Sequence, residues 1–232
     1  WFVDACRQSN LKEEDYAELL DIIFDPTILP KKICQDDGVD LLLNSAGNYY
    51  EGVTQQEAEA YYAAHKDTSA EPLWIGLNSK LIKDADGNVV ERTYKAEEGG
   101  LYATALKKVV ENLEKALPYA ETDEQKLVIE KLIEYNRTGN LQTFNEYAIA
   151  WVRDLQSRVD FINGFTEVYG DPLGITGAWE SLVNFKNLAA TERTNTLSAN
   201  AQWFEDHSPT DPRYKKAECK GITAKVITAA IL

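Results

Sequence analysis

Methionine is absent from the 232 residues, and histidine, cysteine and basic residues are scarce: 2 His, 3 Cys and 24 Lys plus Arg. Each shortage excludes something. His65 and His207 stand in different halves of the chain, so neither an H-E-x-x-H motif nor a zinc finger can be written. Cys6, Cys34 and Cys219 are isolated, with no C-x-x-C pair and no disulfide framework. They read as buried free thiols, in keeping with a reducing compartment. Against the 24 basic residues stand 38 acidic ones, a formal net charge of −14. That balance excludes a nucleic-acid partner, because phosphate contacts need clustered Lys and Arg. Apolar runs such as Val226–Leu232 are too short for a membrane span. No basic and apolar leader opens the chain. A cytoplasmic location is favoured, with export left open because the true N-terminus is not visible. A chain without Met that begins at Trp1 is expected to be an excised or partly observed segment, or one from which Met positions have dropped out.

What is present is a globular composition, 44% hydrophobic and 10% aromatic, in a length that fits one large domain or two small ones. Leu11–Phe24 reads as a helix, with Leu11, Tyr16, Leu19, Leu20 and Ile23 near one face. Asp25-Pro26 ends it and Pro30 begins a connection. Val39–Leu43 reads as a short buried strand. Thr54–His65 is a helix opened by a Thr54/Glu57 capping box. Residues 74–95 carry a β-hairpin, because Asp84-Ala85-Asp86-Gly87-Asn88 separates two apolar-rich runs. Three amphipathic helices follow: Leu101–Ala116 (with Leu101, Ala105, Val109, Leu113 and Leu117 as its stripe), Thr122–Tyr135, and about Leu141 to Val159. Val159–Tyr169 and Trp179–Phe185 read as strands around a Gly170–Gly174 turn. Leu188–Phe204 reads as helix, Asp206–Pro212 as loop, and Ile222–Leu232 as an apolar strand. The fold class is α+β, mostly helical with a hairpin and further short strands.

Candidate chemistry gathers at Glu167, Tyr169 and Glu180. In a continued strand Glu167 and Tyr169 share a face, with Thr166 and Val168 turned to the core. Glu180 returns toward them past the turn. Two carboxylates beside a phenol suit a substrate ammonium, a pairing worth more in a partly closed cleft than in open water. Read from spacing alone, the same carboxylates are more simply ordinary surface residues. Asp206, His207 and Ser208 are adjacent, which is the wrong geometry for a catalytic triad. Gly99-Gly100 lacks the Lys and Ser/Thr of a phosphate loop. Asn136-Arg137-Thr138 matches a glycosylation acceptor only as often as chance allows.

The run Gly164-Phe165-Thr166-Glu167-Val168-Tyr169-Gly170-Asp171-Pro172-Leu173-Gly174, followed by Gly177-Ala178-Trp179-Glu180, resembles the G-F-x-E-x-Y-x-D-P-x-G…E segment of the dipeptidyl peptidase III family. Asn48-Tyr49-Tyr50-Glu51-Gly52-Val53-Thr54 resembles that family's Y-Y-x-x-x-T block. The hairpin from Leu77, Ser198–His207 and Ala224–Leu232 are also similar. The resemblance implies a two-lobed zinc peptidase that removes dipeptides from the N-termini of short peptides. It implies that Glu167 binds the substrate's free ammonium and that Glu180 is a second acidic position near it. Tyr169 is implied to contact the substrate near the scissile amide and to support the transition state. The family's zinc motifs, H-E-x-x-G-H and E-E-x-R-A-D, do not occur in this sequence. No metal ligand is therefore assigned here: zinc is expected in the parent enzyme and none in this segment, which alone is expected to be inactive.

By the same resemblance, residues 1–187 are part of the β-containing, substrate-recognition lobe. Residues 188–232 are a helical excursion toward the catalytic lobe and the start of a core strand. The expected partners are short peptides with a free N-terminus and the remainder of the same polypeptide. The alternative is a stand-alone, non-catalytic peptide-binding module or a helical scaffold. The gene separates these: on the first reading the frame continues past Leu232 into H-E-x-x-G-H, and a stop codon at that point sinks it.

Overall fold

The computed structural model describes residues 1–25, 32–221 and 226–231. In chain order its elements are α1 (Phe2–Gln8), α2 (Glu13–Phe24), β1 (Tyr50–Glu51), α3 (Gln55–His65), β2 (Ser79–Lys83) and β3 (Val89–Thr93). Then come α4 (Ala103–Ala116), α5 (Asp123–Thr138), α6 (Leu141–Arg153), β4 (Val159–Glu167), β5 (Ala178–Lys186), α7 (Leu188–Ala199), α8 (Ala201–His207) and β6 (Ile227–Ile231). The mixed α+β class is as expected. Pro26, Pro30 and residues 222–225, on which parts of the sequence reading fall, lie outside the described residues. No described helix is long and apolar enough to cross a membrane.

The chain divides into two compact units, residues 1–103 with 165–178 and residues 104–164 with 179–232. In the first, β1 pairs parallel to β2, and β2 pairs antiparallel to β3. Leu42, Val53, Ala58, Tyr62 and Leu81 form its core. The hairpin turn is held by Asp84, whose carboxylate accepts the amides of Asp86 and Asn88. α3 starts where the capping box predicts: Thr54 Oγ1 accepts from the Glu57 amide and Glu57 returns a carboxylate oxygen to the Thr54 amide. In the second unit, Val128, Leu132, Tyr135, Tyr147 and Ala150 make the core. α5 is capped by Thr122 at its start and closed by Gly139 in the left-handed region, φ 71°. β4, β5 and β6 form one sheet in that order.

Several expectations are corrected. Val39–Leu43 is a run of turns, because Asp40 takes the amides of Leu42 and Leu43 while Gln55 takes that of Leu41. α1 was not foreseen, and Leu19 and Ile23 of the expected α2 face stay exposed, with only Tyr16 buried. The stripe of α4 is Leu106, Val110 and Leu113, one residue on from Ala105 and Val109. α6 stops at Arg153 rather than Val159. There the Asp154 carboxylate turns inward to accept the amide and hydroxyl of Ser157. The helix expected over 188–204 is two, parted at Asn200, and the second runs on to His207. Cys6 and Cys34 are buried free thiols, whereas Cys219 is half-buried. Asn136 lies buried inside α5 and donates to the Leu132 carbonyl, so it offers no acceptor for a glycan.

Two predictions concern α3. Thr54→Ala removes a cap and should cost about 1 kcal/mol in urea unfolding. The Lys83 ammonium, with the Thr54 amide and hydroxyl, holds the Glu57 carboxyl down at about 2. A carboxyl lowered by folding stabilises the fold above its unfolded pKa and loses that effect as pH falls through its folded one. The stability gap between the parent and Glu57→Gln should therefore be full at neutral pH and close as acid approaches pH 2. A gap that does not change with pH removes the coupling.

Candidate functional site

Glu167 is the last residue of β4 and is half-buried. The strand ends there, so Tyr169 does not continue it on the same face. Instead the Asp171 amide donates to the Val168 carbonyl at 3.0 Å and closes a turn over Tyr169 and Gly170. Tyr169 rides that turn with 72% of its surface exposed. Glu180 is the third residue of β5, half-buried, within the second compact unit.

The turn is built around Asp171, which is 4% exposed. Its Oδ1 accepts from the Leu173 amide at 3.1 Å. Oδ2 accepts from the amides of Ile175 at 2.9 Å and Thr176 at 2.8 Å, and from the Tyr50 hydroxyl at 2.8 Å. An ionised carboxylate out of water requires such matching. Burial, and after it the Asp171 charge, push the Tyr50 phenol far above its usual range, so it stays a donor. Tyr62, beside Tyr50 and Thr176, is pushed up to about 12, again first by burial. Sequence reasoning took Asp171 for a turn residue and missed Tyr50 as its partner. The local signal was Asp-Pro-x-Gly, in which an Asp side chain bonds the amide two residues on.

The other side of the loop is braced by residues 74–78. The Trp74 indole donates to the Ile175 carbonyl at 2.9 Å, and the Gly177 amide donates to the Leu77 carbonyl at 2.7 Å. Aromatic rings surround the base of the site: Phe165 stacks on Tyr94 at 4.6 Å, and Tyr94 on Tyr102 at 5.3 Å. Tyr49, half-buried, comes so close to Gly170 that a methyl group there would meet its hydroxyl at 3.0 Å. Burial first, then Asp171 and Tyr169, raise the Tyr49 phenol.

A model of peptidase family M49 matches residues 48–221, a stretch that contains both Tyr49-Tyr50 and Gly164–Glu180. The chain belongs to peptidase family M49. It is 33% identical over 111 residues to dipeptidyl peptidase 3 of Dictyostelium discoideum, covering 48% of this chain and 16% of that protein. Against dipeptidyl peptidase 3 of Rattus norvegicus it is 32% identical over 166 residues, 71% of this chain and 22% of that protein. The chain thus spans about a sixth to a quarter of the M49 relatives it matches. Its fold is similar to DPP III from Caldithrix abyssi, with a TM-score of 0.61 at 19% identity over 89% of this chain and 40% of that one. Dipeptidyl-peptidase III from Corallococcus sp. strain EGB gives a TM-score of 0.58 at 22% identity, over 84% and 35%.

The described residues do not fit the zinc that the resemblance implies for the family. Among the described residues no three His, Cys, Asp or Glu side chains gather to hold a metal ion. Each histidine is otherwise engaged. His65 Nδ1 meets the Tyr61 carbonyl at 2.8 Å and its ring stacks on Tyr61. His207 does the same with Trp203, at 2.7 Å.

Gly177 reports on the packing of the site. A Cβ there would meet the Leu77 carbonyl oxygen at 2.9 Å and the Phe165 carbonyl carbon at 3.0 Å, both backbone atoms. Gly177→Ala should cost about 1–3 kcal/mol by urea unfolding, and a neutral result means the 74–78 brace gives way freely.

Proposed function

We propose that this chain is the part of an M49 dipeptidyl peptidase that receives the N-terminus of a short peptide. Glu167, with Glu180 as a second acidic position, takes the substrate ammonium. The Tyr169 phenol contacts the substrate near the scissile amide and stabilises charge that develops there. The observation carrying this reading is an exposed phenol on a hydrogen-bonded turn, two residues after a half-buried carboxylate, inside the family-matched stretch. In the same proposal zinc is held by residues of the longer protein, and this chain alone turns nothing over. Residues 188–232 are read as the excursion toward the lobe that holds the metal.

The physical logic is a measured distance. A carboxylate at the mouth of a partly closed cleft binds an ammonium well only when the approach excludes water. Once the ammonium is fixed, the second peptide bond falls at one place, and dipeptides are released. A stand-alone peptide-binding module would keep the amine site without turnover, and a helical scaffold would bind no short peptides.

Kinetics of the longer protein test the assignment. Glu167→Gln should chiefly raise KM for peptides with a free amine, while N-acetylated peptides show no such loss. Tyr169→Phe should lower kcat about ten- to a hundredfold at similar KM, and an unchanged kcat removes the phenol from the chemistry. A substrate α-amine titrates near 8, so KM for free-amine peptides should climb above about pH 8. Equal rise for acetylated peptides would mean that the ammonium is not what is bound.

A further inference from the structure

We infer that Asp171, tied to Tyr50, is the positioning residue of this site, holding the turn that carries Tyr169 just after Glu167. The inference rests on the amine-site reading above and adds how the site keeps its geometry. Neither Asp171 nor Tyr50 needs to touch the peptide.

Three observations carry it. Asp171 acts on the turn from both ends: its amide closes the turn over Tyr169 and Gly170, and its carboxylate gathers Leu173, Ile175 and Thr176 behind it. Its fourth donor, the Tyr50 hydroxyl, comes from 121 positions earlier in the chain. Tyr50 is itself fixed, since β1 pairs with β2 opposite Leu81, a residue with 0% exposure. A turn closed by one backbone bond is ordinarily free to rock. Here the rocking would break a bond to a carboxylate that is itself buried, which is costly because that carboxylate has little water to turn to. Tyr49, the residue before Tyr50, lies close against Gly170 of the same turn. Two adjacent side chains, one just before β1 and one at its start, therefore reach the turn.

Substitution separates positioning from plain stability. Asp171→Asn replaces an acceptor oxygen by an amide donor and opposes the loop amides. Tyr50→Phe is gentler: it deletes one bond and leaves the three loop amides paired. Both are made in the longer protein, and folding is checked by circular dichroism and urea unfolding. Should Asp171→Asn not fold, Tyr50→Phe decides. In folded protein Tyr50→Phe should lower kcat about tenfold, as expected when a reacting group is held loosely. In a Tyr169→Phe background the same change should have little further effect, because the group it positions is gone. An unchanged kcat, or an equal loss in both backgrounds, overturns the inference. If Tyr169→Phe and Glu167→Gln themselves leave kcat and KM untouched, the amine-site reading falls first and takes this one with it.

Discussion

A carboxylate withdrawn from water must find donors for its lone pairs, and the first compact unit is arranged around meeting that demand at Asp171. Three backbone amides and one phenol converge on two oxygens. The amides come from a loop that has no sheet or helix to pair its backbone, so the carboxylate stands in for a strand partner. The phenol comes from β1, whose own pairing is only two residues long. Each side therefore lends the other what it lacks: the loop gains a fixed anchor, and the short strand gains a long-range tie. The Trp74 and Leu77 bonds close the opposite side of the same loop. The result is a surface turn that is held like a core element.

The second unit is stabilised differently. Its two central helices, α5 and α6, are capped by Thr122 and Asn140 and pack through one shared apolar core. Gln125 is the link to the strand: buried at the start of α5, it donates to the Val159 carbonyl where β4 begins and accepts from the Glu121 amide. Trp151 of α6 donates to Asp160 one residue further on. These bonds tie the first two residues of β4 to α5 and α6.

Features decided within four or five residues were legible in the sequence. The Thr54/Glu57 box and the Asp84–Asn88 turn behave as their local chemistry requires. Features decided by a distant partner were not. Val39–Leu43 has strand composition, but Asp40 and Gln55 claim its amides. The end of α6 depends on Asp154 turning inward to Ser157, which an apolar pattern running to Val159 conceals. The site divides in the same way. Glu167, Tyr169 and Glu180 were named by a short motif, whereas the Tyr50–Asp171 bond spans 121 positions and left no mark in either local sequence.

An excess of 38 acidic over 24 basic residues draws any cation toward the chain. Such a field is long-ranged, is weakened by salt, and cannot tell a peptide α-ammonium from a lysine side chain. Selection in the proposed role must then come from short-range geometry, where an ångström of misplacement matters. A carboxylate at the end of a strand meets that need if the strand end does not fray. A phenol on an exposed turn meets it only if the turn does not rock. The second condition leads back to the tie between Tyr50 and Asp171. In the proposed role the net charge sets how often a cation arrives, and the Tyr50–Asp171 bond holds the turn that meets it.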